Sequence, residues 1–230
     1  MYNGKTILSV IPARKGSTEL PGKNWKKLKD KPLVCWSVES SLQSKYVDRT
    51  VVSTDSNNVV LAIDEYDCGI VWRAPNLACN VANTETCIID AVAKADFYPD
   101  YVLTLHPTCP NRPNYLIDRC IEKLLIQDQH DALFTARKYP PFFAHQKSGK
   151  VTLNPMSNLS PRCRRQDIKP EDWFWLDAVT VYLTKTDSLL RCCDRMGRNP
   201  MIFSITDFEA ADIDSTKDFE NAERIMNHAG

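Results

Sequence analysis

Thr6-Ile-Leu-Ser-Val-Ile-Pro-Ala-Arg-Lys-Gly-Ser17 decides how the rest of the chain reads. The β-branched run up to Ile11 is short and apolar, as a strand buried on both faces requires, and Pro12 ends it in a loop. That loop carries Gly16, Pro21 and Gly22. A helix is expected from Pro32 to about Leu42, where Leu33, Trp36, Val38 and Leu42 recur at helical spacing behind a proline that a first turn tolerates. Strand, loop and helix open a βαβ unit.

Working outward, the alternation persists. Thr50–Thr54 reads as a second strand and Val59–Tyr66 as a helix capped by Asn57 or Asn58. Ile70–Trp72, Tyr101–Leu105 and Ala132–Thr135 read as further strands, with helices over Thr84 to about Ala95 and Tyr115 to about Ile126. Such alternation predicts an α/β fold with a mostly parallel, Rossmann-like sheet covered on both faces by right-handed crossovers. Ligands bind such sheets beyond the carboxyl ends of the strands, where Arg14, Asp55, Arg73 and His106 fall. From Tyr139 to Trp175 the periodicity weakens into prolines, aromatics and the basic cluster Arg162–Gln166. The expected organisation is one domain made of residues 1–138 and 176–230, interrupted by an inserted arm over 139–175. Strands at Ala178–Leu183 and Ser204–Thr206 and a helix over Asp218 to about Asn227 complete it.

Composition narrows the function classes. The 230 residues balance 29 lysines and arginines against 29 aspartates and glutamates, so no excess of charge points to nucleic acid or an anionic membrane. Any anion site must be local. The nine cysteines are odd in number and contain no C-x-x-C pair, which points to reduced thiols and a cytoplasmic setting. No stretch has the length of a signal h-region or a membrane span.

A local anion site is visible in the first loop, where Arg14, Lys15, Lys23, Lys26 and Lys27 are interleaved with Gly16, Ser17, Thr18 and Gly22. Glycines let backbone N–H groups approach a polyphosphate while arginine supplies a fork and lysine a point charge. A solvated surface loop has the same composition; the position after the first strand favours phosphate. Neither G-x-x-x-x-G-K-[ST] nor G-x-G-x-x-G is present, which removes the P-loop and dinucleotide readings.

Ile11-Pro-Ala-Arg-Lys-Gly-Ser17 followed by Leu20-Pro-Gly-Lys-Asn24 resembles the signature loop of acylneuraminate cytidylyltransferases, the CMP-sialic acid synthetase family. Lys31-Pro-Leu33, Val52–Asp55, Arg73–Ala78, Leu105–Arg112, Arg164–Gln166 and Asp212-Ile-Asp214 extend the resemblance along nearly the whole chain. It implies a fold of the nucleotide-diphospho-sugar transferase type, CTP and an acidic 2-keto-3-deoxy sugar as substrates, Mg²⁺ as cofactor and pyrophosphate as product. By the same resemblance Ala13, Arg14, Ser17, Lys23 and Asn24 contact the nucleotide, and Arg14 and Lys23 hold phosphates. Arg73 and the turn Ala82-Asn83-Thr84 resemble the cytosine site, although Asn83 or Thr84 can equally cap the helix that follows.

Asp212 and Asp214 flank Ile213, so on an extended segment both carboxylates face one way while the isoleucine faces the core. Two hard oxygen ligands suit Mg²⁺. The resemblance implies that the first of them also helps to take the sugar's proton. For the sugar it implies His106, which stands where the family has glutamine, together with Arg165, Gln166, Asp177 and Tyr182. Arg165 and Gln166 would lie on an arm shared across a homodimer with a composite active site; a basic surface patch is the plainer reading. Two departures stand out. Thr18 and Glu19 replace a lysine and a small residue of the family's loop, leaving Lys15 to restore the charge, and make it similar to CMP-KDO synthetases. With His106 they also leave open a catalytically weakened nucleotide-binding protein.

Overall fold

The computed structural model describes residues 1–17, 19–78, 83–127, 129–153 and 163–228. Seven strands form the central sheet: β1 (Ile7–Pro12), β4 (Arg49–Thr54), β5 (Gly69–Trp72), β6 (Tyr101–Thr104), β7 (Ala132–Tyr139), β10 (Phe174–Lys185) and β11 (Pro200–Ser204). Two small ribbons accompany it: β2 (Lys27–Leu28) with β3 (Lys31–Pro32), and β8 (Ala144–Lys147) with β9 (Lys150–Leu153). The helices are α1 (Leu33–Leu42), α2 (Asn57–Ala62), α3 (Pro75–Ala78), α4 (Thr84–Ala93), α5 (Asn114–Ile126), α6 (Thr186–Cys192) and α7 (Thr216–His228).

The sheet runs β11-β7-β10-β6-β1-β4-β5. β1 pairs in parallel with β4 on one side and β6 on the other, and β4 pairs in parallel with β5. The chain thus steps outward from β1 to β5 and returns to the other side of β1 through α4, which makes the crevice above β1 and β6 a topological switch point. β10 alone runs against its neighbours, antiparallel to both β6 and β7, while β11 pairs in parallel with β7.

Alternation within β1 explains the two layers. Ile7 and Ile11 pack with Val34 and Val38 of α1, Val59 of α2, and Leu116 and Ile121 of α5. Leu8 and Val10 point the other way, onto Ile88, Ala91 and Val92 of α4 and Leu189 of α6. A strand covered on both faces needs an apolar residue at nearly every position, and β1 has one.

Several local expectations shift. Ser56, not Asn57 or Asn58, caps α2, its Oγ accepting from the Val59 N–H at 3.4 Å. The strand expected at Ser204–Thr206 lies at Pro200–Ser204, and α3 and α6 were not foreseen. Residues 139–175 begin on the last residue of β7 and end on the first two of β10. Between them the described part holds the exposed β8–β9 ribbon and two 3₁₀ turns, Arg165–Asp167 and Pro170–Asp172. Among the described residues no helix is long and apolar enough to cross a membrane, and every cysteine is a free thiol.

Candidate active site

A cleft of about 650 Å³ opens over the carboxyl ends of β1, β5 and β6, and its walls gather residues from distant parts of the chain. Arg14, Ser17, Lys23, Asn24, Arg73, Asn83, Thr84, His106, Asp212 and Asp214 all line it. Thr18 and Ala82 lie outside the described residues.

The first loop is held from beneath. Ala13 is buried; its N–H donates to the Ser53 carbonyl at 2.9 Å and its own carbonyl accepts from Thr54 Oγ1 at 2.6 Å. It therefore positions Arg14 and does not line the cleft. Asn24, also buried, donates from Nδ2 to the Arg14 carbonyl at 2.8 Å. Gly22 at φ 73° starts the turn that carries Lys23, and a Cβ there would come within 2.8 Å of the Trp25 ring. Lys15 is tied by its backbone, its N–H donating to Asp55 Oδ1 at 2.6 Å, and its side chain is not part of the cleft wall. Glu19 is, so the loop brings an anion as well as cations to the cleft.

Lys23 spans the cleft. Its Nζ donates to Asp214 Oδ1 at 2.9 Å and to the Ile213 carbonyl at 3.2 Å. Ile213 is buried among Leu20, Leu28, Leu33 and Phe219, and its N–H donates to the Thr108 carbonyl at 2.9 Å, so the aspartates on either side are presented to the cleft. Burial, opposed by a hydrogen bond from Thr108 and reinforced by the Asp214 charge, raises the Asp212 carboxyl above its ordinary value. A carboxylate held against desolvation beside a second one is a donor set suited to a hard divalent cation that also takes phosphate oxygens. Ser215 caps α7 in a reciprocal box with Asp218, which anchors the segment downstream.

On the opposite wall, Arg73 lies against β4, with Nε donating to Ser53 Oγ at 3.0 Å and one terminal nitrogen to the Ser53 carbonyl at 3.1 Å. Burial lowers its pKa from the ordinary arginine value. Asn83 caps α4, its Oδ1 accepting from the Thr86 N–H at 2.9 Å, and lines the cleft too. Both readings of that turn meet in one residue.

The sugar residues fare differently. His106 lines the cleft with its ring edge-on to Tyr182, centroids 5.9 Å apart. Burial, with Arg195, Arg112 and Lys23 nearby, pushes its pKa down to about 3, so it is a neutral imidazole at physiological pH. Tyr182 and Asp177 do not line the cleft: the tyrosine hydroxyl donates to Asp177 Oδ2 at 2.6 Å, so each occupies the other. Neither is brought to the cleft wall, and the tyrosine ring packs against His106 and Arg195. Arg165 and Gln166 are exposed on their 3₁₀ turn, Arg165 over the Trp173 ring, and are not brought to this chain's cleft. Arg112 is fully structural, donating to the Thr180 and His106 carbonyls and to Ser37 Oγ.

Sequence reasoning missed Arg195, Glu85 and Val179. Val179 lines the cleft from the irregularity in β10 between Asp177 and Tyr182, at φ 59°, a conformation that costs a β-branched residue about 1–3 kcal/mol. Arg195 packs its guanidinium 4.6 Å from the Tyr182 ring centre and ion-pairs through a terminal nitrogen with Glu85, in the first turn of α4. Its Nε and His106 Nε2 are both sealed from solvent without a hydrogen-bond partner among the described residues. Each such group costs about 1–3 kcal/mol while unbonded. No sequence signal marked Arg195, a cation in a Gly- and Asn-containing turn that reads as solvated surface.

Comparison with known proteins agrees with this geometry. Residues 8–155 match the family model described as Cytidylyltransferase. The chain is 33% identical, over 72% of its length and 67% of the relative's, to the CMP-N,N'-diacetyllegionaminic acid synthase of Legionella pneumophila. It is 26% identical, over 96% of its length and 97% of the relative's, to the pseudaminic acid cytidylyltransferase of Campylobacter jejuni. In fold it is similar to a CMP:2-keto-3-deoxy-manno-octonic acid synthetase complexed with CTP (TM-score 0.73, 15% identity, 98% of this chain and 100% of that one). The 4-diphosphocytidyl-2C-methyl-D-erythritol synthase of Anaerococcus prevotii is similar as well (TM-score 0.71, 13% identity, 98% and 97%). With a basic, glycine-containing loop, a carboxylate pair and a switch-point cleft in one mostly parallel sheet, the chain belongs to the acylneuraminate cytidylyltransferase family and is a nucleotidyltransferase.

Proposed function

We propose that the protein transfers CMP from CTP to an N-acylated nonulosonic acid, the substrate class named for its legionaminic, pseudaminic and acylneuraminic relatives. The observation that carries this reading is the cleft itself, in which Lys23 is ion-paired to Asp214 beside Asp212, and Arg14, Arg73 and Asn83 belong to the same lining. Cations for a triphosphate and polar side chains for a base, gathered in one cleft, suit a nucleotide.

In the proposed reaction the anomeric hydroxyl attacks the α-phosphorus of CTP. A C–O–P bond forms, the bond to the β-phosphate bridging oxygen breaks, and pyrophosphate leaves with the electron pair. Arg14 and Lys23 bind the phosphates and orient them in line. Asp212, at the cleft wall beside Asp214, takes the hydroxyl proton. Asp212 and Asp214 would hold Mg²⁺, which when bound supplies charge neutralisation on the phosphates. A cation there also relieves the mutual repulsion of the two carboxylates.

A homodimer through an arm over residues 139–175 completes the reading. Its support is that this stretch leaves several large apolar side chains, Phe143, Val151, Leu153 and Trp175, exposed. Arg165 and Gln166 then serve the cleft of the second copy.

The test is pyrophosphate release with CTP, Mg²⁺ and a panel of legionaminic, pseudaminic, N-acylneuraminic and eight-carbon 2-keto-3-deoxy acids. Turnover of at least one nine-carbon acid is expected. Silence across the panel from folded protein overturns the reading, and turnover of the eight-carbon acid alone overturns the substrate class.

A further inference from the structure

We propose that Arg195 and Glu85 form the part of the cleft that recognises the acylamido substituent of the sugar, with His106 as a third contact. The inference rests on the functional reading above and adds to it the residues that set specificity.

Three observations converge. First, Arg195, Glu85 and His106 line one cleft, and Arg195 and His106 pack on the same Tyr182 ring. Second, among the described residues, Arg195 Nε and His106 Nε2 are shut away from water with nothing to bond, although both residues border the cleft. Buried polar groups in a folded protein are almost always satisfied, so two unsatisfied ones beside a cavity point to a ligand that satisfies them. Third, the charge differs from the rest of the cleft. The Arg195–Glu85 ion pair sums to zero, so these two side chains together add no net charge to the cleft, unlike Arg14 and Arg73.

An internally compensated ion pair with unused polar capacity suits a neutral hydrogen-bonding group better than a carboxylate. Arg195 Nε–H is a donor. Glu85 bonds Arg195 through Oε1, and no bond from a described residue reaches Oε2, which remains an acceptor. One donor beside one acceptor matches the C=O and N–H of a secondary amide. The stack on Tyr182 and the ion pair hold the guanidinium in place before the ligand arrives, so little further ordering is required on binding.

The test compares two acidic sugars, an N-acylated nonulosonic acid and its counterpart with hydroxyl in place of the acylamido group, each with CTP and Mg²⁺. The readout is the ratio of their kcat/KM values. Losing a hydrogen bond to a substrate group in a built site changes such ratios strongly. Arg195→Leu should lower the preference for the N-acyl sugar at least tenfold. Glu85→Gln, which keeps the contact to Arg195 but offers an amide N–H₂ in place of Oε2, should lower it about fivefold. CTP titration calorimetry on each variant establishes that the fold and nucleotide site persist; if Arg195→Leu does not fold, Glu85→Gln carries the test. An unchanged ratio in the folded variants, or equal losses on both sugars, overturns the proposal and leaves the cytidylyltransferase reading standing. Failure of the wild-type protein to turn over any acidic sugar overturns that reading, and this proposal with it.

Discussion

Replacing His106 by glutamine should remove a measurable part of the protein's acid sensitivity. In the folded chain the imidazole titrates at about 3 in place of the ordinary 6.5, because burial and the cations Arg195, Arg112 and Lys23 oppose its charged form. The unfolded chain takes up a proton as pH falls below 6.5, while the folded chain does not until near pH 3, so stability falls with pH across that window and is indifferent to this group above it. Between pH 7.5 and pH 5 the unfolded state gains about 1.5 pH units of proton binding that the folded state lacks. At about 1.36 kcal/mol per unit this is about 2 kcal/mol. The result is the same for any folded value below about 4. For a chain of this length it corresponds to about 4–8 °C in Tm. Urea denaturation of both proteins at the two pH values measures it directly, since every other titrating group contributes nearly equally to each. The wild type should lose about 2 kcal/mol more than His106→Gln. Equal losses would mean that the imidazole is hydrated or already charged in the fold, and its assignment as a neutral group of the cleft would fall.

Other outcomes follow from the same geometry. Asp214→Asn should cut turnover at least a hundredfold while leaving the melting temperature within about 2 °C, because the residue is exposed and its loss releases only Lys23; kinetics and a thermal melt decide it together. Tyr182→Phe should cost about 1–3 kcal/mol of unfolding free energy by orphaning Asp177 Oδ2, without abolishing CTP binding, since neither residue lines the cleft. Asn83→Ala should cost about 1 kcal/mol through loss of the α4 cap and also weaken CTP binding in calorimetry. A purely structural asparagine would show the first effect alone.

Much of this architecture is readable in the residues. A parallel strand covered on both faces must be apolar at nearly every position, and β1 announces itself that way; the cations and glycines after it could be placed at a strand's carboxyl end from the pattern alone. The aspartates around Ile213 were legible because alternation in an extended segment is a local rule. What escaped was non-local. Period-2 patterning identifies β10 as a strand but carries no direction, so its antiparallel insertion between β6 and β7 had no signature. Arg195 escaped for the same reason. Its importance comes from Tyr182 and Glu85, which the fold brings to it from other segments, and a cation in a turn looks solvated until its neighbours are known. Asp177 and Tyr182 show the converse: a resemblance in sequence marked both, but the fold bonds them to each other, off the cleft wall.

The antiparallel course of β10 also sets an order of assembly. The cations of the first loop emerge early in synthesis, whereas β10, which joins the two halves of the sheet, and the carboxylates beyond it belong to the last quarter of the chain. Until that quarter arrives, Lys23 has no Asp214 to meet, and β6 lacks its neighbour on one side. A ribosome-bound fragment ending before β10 therefore offers a basic loop and an open strand edge together, which makes the nascent chain attractive to polyanions and to other exposed strands at a stage when it cannot yet work.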